Sequence, residues 1–200
     1  MGSPADSGWS MDPKTKVAAT VLEDVFRRVA SDLSLLVDRV IDVQSVAYEE
    51  RIDLAAGPSE VHIAFRLGLR VASGGAHQGA LLVPLGEAIS VAGYLMMAPE
   101  ERVAAMRASG EVGAAAKRAL VEVGAFVAAA GDAALRTAGA CCDGVVFEGC
   151  QGVRADVPPR LEYEEGAPLS TSRAMISIAG RPPVECVLMI PREGYLLGTV

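Results

Sequence analysis

The chain has 200 residues, of which 51% are apolar, 22% are charged and only 4% are aromatic. It is therefore long enough and apolar enough to bury the core of one domain. The net charge is −7. Because an acidic surface repels phosphate backbones and anionic lipids, nucleic-acid binding and membrane binding or insertion are excluded from the expected functions.

The first predicted element is a disordered tail over residues 1–16, a polar stretch with two prolines and two glycines. Apolar residues at steps of three or four, from Val21 to Val40, predict one long amphipathic helix over residues 17–43. Apolar and polar residues then alternate over 60–71, which predicts a strand with one face in water, and that face carries His62. A turn at Ser73–Gly75 leads to a second strand over 79–84, so the two strands form a hairpin.

Two shorter helices are predicted over 85–97 and 100–108, followed by a second long helix over 111–137. Strands are predicted at 144–153, 174–179 and 184–190, with a solvated loop over 156–170. Strands adjacent in sequence and joined by short turns favour antiparallel pairing. The expected fold is a single α+β domain over residues 17–200, with an antiparallel sheet of about five strands packed on two long helices and one or two shorter ones. No long internal repeat is visible.

The sequence lacks the common catalytic and metal-binding motifs, including a phosphate-binding loop, a dinucleotide-binding glycine motif, a zinc-protease motif and a nucleophile elbow. His62 and His77 have no partner that spacing would identify, so both are expected to be structural. No C-x-x-C occurs, and the cysteines are expected to be reduced thiols in a cytosolic protein. No metal or cofactor is predicted. The four cysteines are Cys141, Cys142, Cys150 and Cys186.

Residues 119–135, with the sequence A-L-V-E-V-G-A-F-V-A-A-A-G-D-A-A-L, form the most informative segment. They resemble the central helix of the CheC/CheX/FliY family of chemotaxis phosphatases, where the pattern is roughly Glu-Ile-x-Asn-Ile, then small residues including glycine, then Ala-Leu. Residues 80–101, which contain L-L-V-P and P-E-E, resemble the strand and helix that precede this helix in CheX. The order of elements over residues 17–190 also fits, and CheX is the most similar of the three.

The resemblance implies a site for a phosphorylated response-regulator receiver domain. In that family a Glu and an Asn, three positions apart on one helix face, reach the aspartyl phosphate together, and the Asn amide holds a water in line with it. Here the acid is Glu122 and the position three later is Ala125. The chain contains no asparagine at all, so no position restores the pair.

Two functions from different classes follow. The first is a CheX-like module that binds a receiver domain or another chemotaxis or two-component partner, without phosphatase activity, through Glu122, Ala125, Ala129 and Asp132. The second is an active phosphatase in which Glu122 is catalytic. The missing amide favours the first. For Glu122 a plain solvated carboxylate is the alternative, and the resemblance also implies a homodimer in which this helix face would be the seam.

Overall fold

The computed structural model describes residues 12–55, 60–71, 76–139 and 142–192, and within them it places four helices and a six-stranded sheet. All the strand pairings are antiparallel. The predicted α+β class is confirmed, and the sheet has one strand more than expected. The helices are α1 (Pro13–Val37), α2 (Leu85–Leu95), α3 (Glu100–Ser109) and α4 (Ala114–Thr137). The strands are β1 (Ile41–Arg51), β2 (His62–Val71), β3 (Ala76–Pro84), β4 (Cys142–Val153), β5 (Leu169–Ile178) and β6 (Val184–Pro191).

The fold consists of two halves with the same order of elements. One long helix and three strands (α1, β1, β2, β3) are followed, after α2 and α3, by another long helix and three strands (α4, β4, β5, β6). The strand order in the sheet is β1-β5-β6-β3-β2-β4. If each strand is replaced by its counterpart in the other half, the same order is obtained when the sheet is read from its opposite edge. The central β3–β6 pair is symmetric about Leu81 and Leu188. No repeat is visible in the sequence because the symmetry lies in the backbone topology.

Helix α1 begins and ends earlier than its apolar pattern predicted. Asp12 caps its first turn by accepting the N–H of Thr15, and Pro13 occupies the first turn, where a missing N–H costs nothing. The predicted tail of residues 1–16 therefore overlaps the helix, and residues 1–11 lie outside the described part. At the other end Asp38 adopts a left-handed conformation (φ 50°) and its N–H bonds to the Ser34 carbonyl, which terminates the helix.

Strand β1 was missed because a bulge interrupts its alternation. The register of β1 against β5 shifts between Val43 and Ser45. Ile41 and Val43 pack toward the helices before the bulge, and Val46 and Tyr48 pack toward them after it, so the inward positions change from odd to even numbers. A strict period of two across these residues was therefore never present in the sequence.

The sheet face opposite the helices is partly covered by irregular chain, which corrects the prediction of a wet face on β2. A second apolar cluster forms there, in which Leu82 and Met189 pack beneath Leu54 and Leu161 from the loops. His62 is fully buried, and its Nδ1 lies 3.0 Å from the Glu60 carbonyl oxygen. Only Arg66 and Arg70, toward the end of β2, keep partial or full exposure on that face.

Strand β5 begins at Leu169, five residues before the predicted start, inside the segment that was expected to be a solvated loop. Its first residues are polar, yet Ser170, Thr171 and Ser172 are completely buried between β1 and β6. Tyr48 on β1 lies within hydrogen-bond distance of Ser170, with the two hydroxyl oxygens 3.3 Å apart. Composition alone misled here because the burial of these hydroxyls depends on neighbouring strands that are distant in sequence.

A small void lies in the main core between α1, α2, α4 and the sheet, with a volume of about 50 Å³. Phe26, Phe65 and Val127 line it, together with the Cys186 thiol. Burial raises the pKa of Cys186, with a smaller contribution from the charge of Glu87, so this residue stays a neutral thiol. A void of this size costs about 1 kcal/mol at roughly 24 cal/mol per Å³.

We expect Val127→Ile to raise the free energy of unfolding by up to about 0.8 kcal/mol, because the added methylene fills the void. Urea denaturation measures the change. Val21→Ile is the matched control, since Val21 is equally buried on α1 but does not line the void, and the extra atom there should be neutral or destabilising. Equal effects of the two substitutions would show that the core has no such space.

Candidate partner-binding site

The four residues singled out in the sequence lie on α4 as follows. Glu122, Ala125 and Ala129 are exposed on the outward side of the helix, while Val123, Val127 and the other members of the apolar stripe are buried against α1 and the sheet. Residues at these spacings share one face of a helix, so the three exposed positions form a continuous strip. The small side chains at 125 and 129 leave the backbone of α4 open to close approach.

Two apolar residues that the sequence analysis did not single out flank this strip. Val121 is 50% exposed and Phe126 is 43% exposed. Both lie outside the buried stripe, and a large apolar residue outside the stripe is the signal that could have identified them. We name the set Val121, Glu122, Ala125, Phe126 and Ala129 the α4 face.

Asp132, the fourth residue predicted to contact a partner, lies about one turn beyond Ala129 on α4 and is only partly exposed, so it is left out of the α4 face and its contact with a partner stays a prediction. Its carboxylate is already bonded within the chain: one oxygen accepts the N–H of Val145 at 3.0 Å, and the other pairs with Nε of Arg136 at 2.7 Å. Ser34 does the same on α1, where its hydroxyl accepts the N–H of Ile41 at 2.9 Å. Both residues therefore tie a long helix to the strand that follows it.

The equivalent surface of α1 is more highly charged, and two ion pairs form within it. Every buried position of α1, from Ala18 to Val37, has a buried counterpart at the same spacing on α4, from Ala116 to Leu135, and α4 also buries Ala130 and Ala134. This places Glu23 at the position of Val121 and Arg28 at the position of Phe126. Glu23 pairs with Arg27 at 2.6 Å and Arg28 pairs with Asp32 at 2.9 Å.

The charged residues of α4 near this face have no such partners. Within the described part of the chain, neither Arg118 nor Glu122 forms an ion pair, although both are exposed and four residues apart. The two helix surfaces thus differ in chemistry although the backbone relates them by symmetry. At the positions of Val121 and Phe126 a partner would meet apolar side chains on α4 and ion-paired charges on α1. Asp24, at the position of Glu122, is exposed and forms no ion pair within the described part of the chain.

The remaining candidate residues are not grouped with the α4 face. His62 is buried under the opposite sheet face, and His77 is half-buried on β3 beside the 162–168 loop. Cys150 is half-buried and Cys186 is buried, Cys141 lies outside the described residues, and the surroundings of Cys142 are not described.

Across the described ranges, no group of three or more His, Cys, Asp or Glu side chains could hold a metal ion. None of the helices described has both the length and the hydrophobicity to cross a bilayer.

The backbone matches solved chemotaxis and flagellar proteins over nearly its whole length. FliY from Thermotoga maritima superposes with a TM-score of 0.61 at 13% identity, covering 92% of this chain and 93% of that chain. The chain has the fold of the CheC, CheX and FliY proteins. The FliM middle domain from H. pylori gives 0.61 at 12% identity, covering 91% and 94%. Chemotaxis protein CheX from Desulfovibrio desulfuricans gives 0.55 at 11% identity, covering 86% and 99%.

No protein-family model matches the sequence, and no curated protein matches it. At identities of 13% or less, the likeness to these structures concerns the fold. Fold and function separate readily, because function depends on the side chains of a site and not on the backbone that carries them. The function of this protein therefore depends on its own side chains, among them those of the α4 face.

Proposed function

We propose that this protein is a CheX-like signalling module, acting in the cytoplasm, that binds a response-regulator receiver or another chemotaxis partner through the α4 face and does not remove its phosphate. The observation that carries the proposal is the chemistry of that face. Exposed Val121 and Phe126 flank Glu122, which forms no ion pair among the described residues, while the equivalent positions of Val121 and Phe126 on α1 carry Glu23 and Arg28, each paired within its own helix. Exposed apolar side chains beside an available charge are typical of protein-binding surfaces.

The absence of phosphatase activity rests on Ala125. It occupies the exposed position three residues after Glu122, where the resemblance places the water-holding amide, and an alanine methyl can neither donate nor accept a hydrogen bond. The side-chain amides of the chain are distant in the fold: Gln44 lies on β1, Gln78 on β3 and Gln151 on β4. Gln78 is also engaged, because it bonds to Glu148 and to the N–H of Glu162.

The solved relatives support a role in protein binding. One H. pylori FliM structure is a complex with FliG, and another is a complex with SpeE. This fold therefore serves as a docking scaffold in those proteins. We extend that role to this chain, with a homodimer as the expected oligomer.

The test uses a receiver domain from a neighbouring gene, phosphorylated with a small-molecule phosphodonor. We expect the wild-type protein to bind it, Glu122→Ala to weaken binding, and neither protein to shorten the lifetime of the aspartyl phosphate. Ala125→Asn is the informative variant, because it supplies the missing amide at an exposed position without altering the core. Faster phosphate loss with Ala125→Asn alone would identify the amide as the missing element.

Acceleration by the wild-type protein that disappears in Glu122→Ala would instead establish an active phosphatase and overturn the proposal. The oligomer is measured by light scattering in parallel. If Glu122→Ala and Phe126→Ala convert a dimer to a monomer and no receiver binds, the α4 face is a seam between two copies and not a receiver site.

A further inference from the structure

Helix α3 is attached to the protein by very few side chains. It has 10 residues, and Val103 is the one residue that it buries. It packs mainly on α2, and an isolated helix of this length is marginal in water. Its stability must therefore come from its points of attachment, of which three are visible.

The first attachment is the packing of an apolar side chain of α3 against a glycine of α2. Val103 is completely buried, and one of its methyl groups lies 2.9 Å from the point where a Cβ on Gly93 would be. Any larger residue at position 93 would push against this methyl group. The glycine on α2 therefore allows α3 to approach closely enough for Val103 to be buried.

The second attachment is a partly buried ion pair at the other end of α3. Arg107 contacts a carboxylate oxygen of Glu87 at 2.7 Å and donates to the Ser90 hydroxyl at 2.7 Å. Both partners belong to α2 and are buried. Because water is largely excluded from this pair, dissolved salt weakens it little.

The third attachment joins the start of α3 to α2 and to the turn between β5 and β6. Glu100 accepts a hydrogen bond from the Tyr94 hydroxyl at 2.9 Å and pairs with Arg181 at 2.5 Å. The hydrogen bonds from Tyr94 and Arg181 lower the pKa of Glu100, so the carboxylate is charged at neutral pH. Glu100 is 54% exposed, and salt should screen this attachment.

The backbone on each side of α3 changes direction at a left-handed residue. Met97 has φ 56° before the helix, and Gly110 has φ 64° after it. We propose that α3 is a strap across α2 and the β5–β6 turn that opens as a unit while α2 and α4 stay folded, and that the Glu100 attachment makes its opening sensitive to salt. Opening separates Arg107 from Glu87 and Glu100 from Arg181, so the surface that α3 leaves presents Glu87 and Arg181 beside Tyr94.

Hydrogen exchange of the full chain, followed by mass spectrometry at low and at about 1 M salt, tests this proposal. We expect the amides of α3 to exchange at least about tenfold faster than those of α2 and α4. Salt should accelerate exchange in α3 by a further two- to fivefold, which is roughly the contribution of one exposed ion pair to an equilibrium constant, and should leave exchange in α4 unchanged. In Glu100→Gln the amides of α3 should exchange at low salt as fast as those of the wild type at high salt, and most of the response to salt should be lost.

Glu101→Gln is the matched control, because Glu101 is exposed on the same helix and forms no ion pair within the described part of the chain. It should behave as the wild type. Val103→Ala, which removes the apolar attachment, should accelerate α3 at every salt concentration. The proposal is wrong if α3 exchanges no faster than α4 in the wild type, or if the Glu100 and Glu101 variants respond to salt identically.

Discussion

Gly124→Ala is expected to lower the free energy of unfolding by about 1 to 3 kcal/mol, whereas Gly131→Ala, two turns later on α4, should raise it by about 0.5 to 1 kcal/mol. A Cβ on Gly124 would lie 2.2 Å from a ring carbon of Phe147 on β4. A Cβ on Gly131 would have no heavy atom within 4 Å. Both glycines are buried in the same helix, so alanine should add the same helix propensity at either position. The two variants differ only in whether the new Cβ collides with the ring of Phe147.

Chemical denaturation of the two variants measures the difference. Phe147 is only half-buried, so its ring can be displaced, at the cost of its packing on α4. Adding Phe147→Leu to Gly124→Ala should therefore recover part of the lost stability, and the recovery should exceed the effect of Phe147→Leu on the Gly131→Ala background. If both alanine variants are stabilised equally, the ring does not lie against Gly124.

Phe126→Ala is expected to weaken binding of the receiver domain about thirtyfold, or by about 2 kcal/mol, because aromatic side chains near the centre of an interface carry much of its energy. Phe126 is the largest exposed apolar side chain on the α4 face. Titration calorimetry gives the affinity, and a thermal melt monitored by circular dichroism shows whether the variant remains folded.

Leu35→Ala is the control for this effect. Leu35 is 83% exposed, but it lies on α1 and outside the α4 face. Its truncation should leave the affinity unchanged. Equal losses for the two variants would mean that the partner does not select the α4 face, and an unchanged affinity for Phe126→Ala would place the docking surface elsewhere.

Elements with a long, uninterrupted pattern were predictable from the sequence. The residues at apolar helical spacing on α4, from Ala116 to Ala134, are buried as predicted, and Glu122, Ala125 and Ala129 on the other side are exposed. The alternation over 60–71 identified β2. In both elements the period is set by local backbone geometry, so the sequence carries the signal without help from neighbouring elements.

Features that depend on distant neighbours were not predictable in the same way. Asp132 is predicted to contact a partner, and the sequence does not show that β4 comes close enough for the N–H of Val145 to bond to its carboxylate. His62 occupies a polar position in an alternating strand, and the loops that bury it come from other parts of the chain. The difference between the surfaces of α1 and α4 became visible only when the symmetry of the fold made the two helices comparable.

The α+β class, the two long helices and the isolated Glu122 carboxylate on an outward helix face can be predicted from the sequence alone, because each depends on periodicity or on residue identity. Which charges remain unpaired, which polar residues are buried and how the two halves pair across β3 and β6 follow only from the assembled fold. These properties arise from contacts between residues far apart in the chain, and packing and hydrogen bonding at such contacts are fixed only when the sheet and helices assemble.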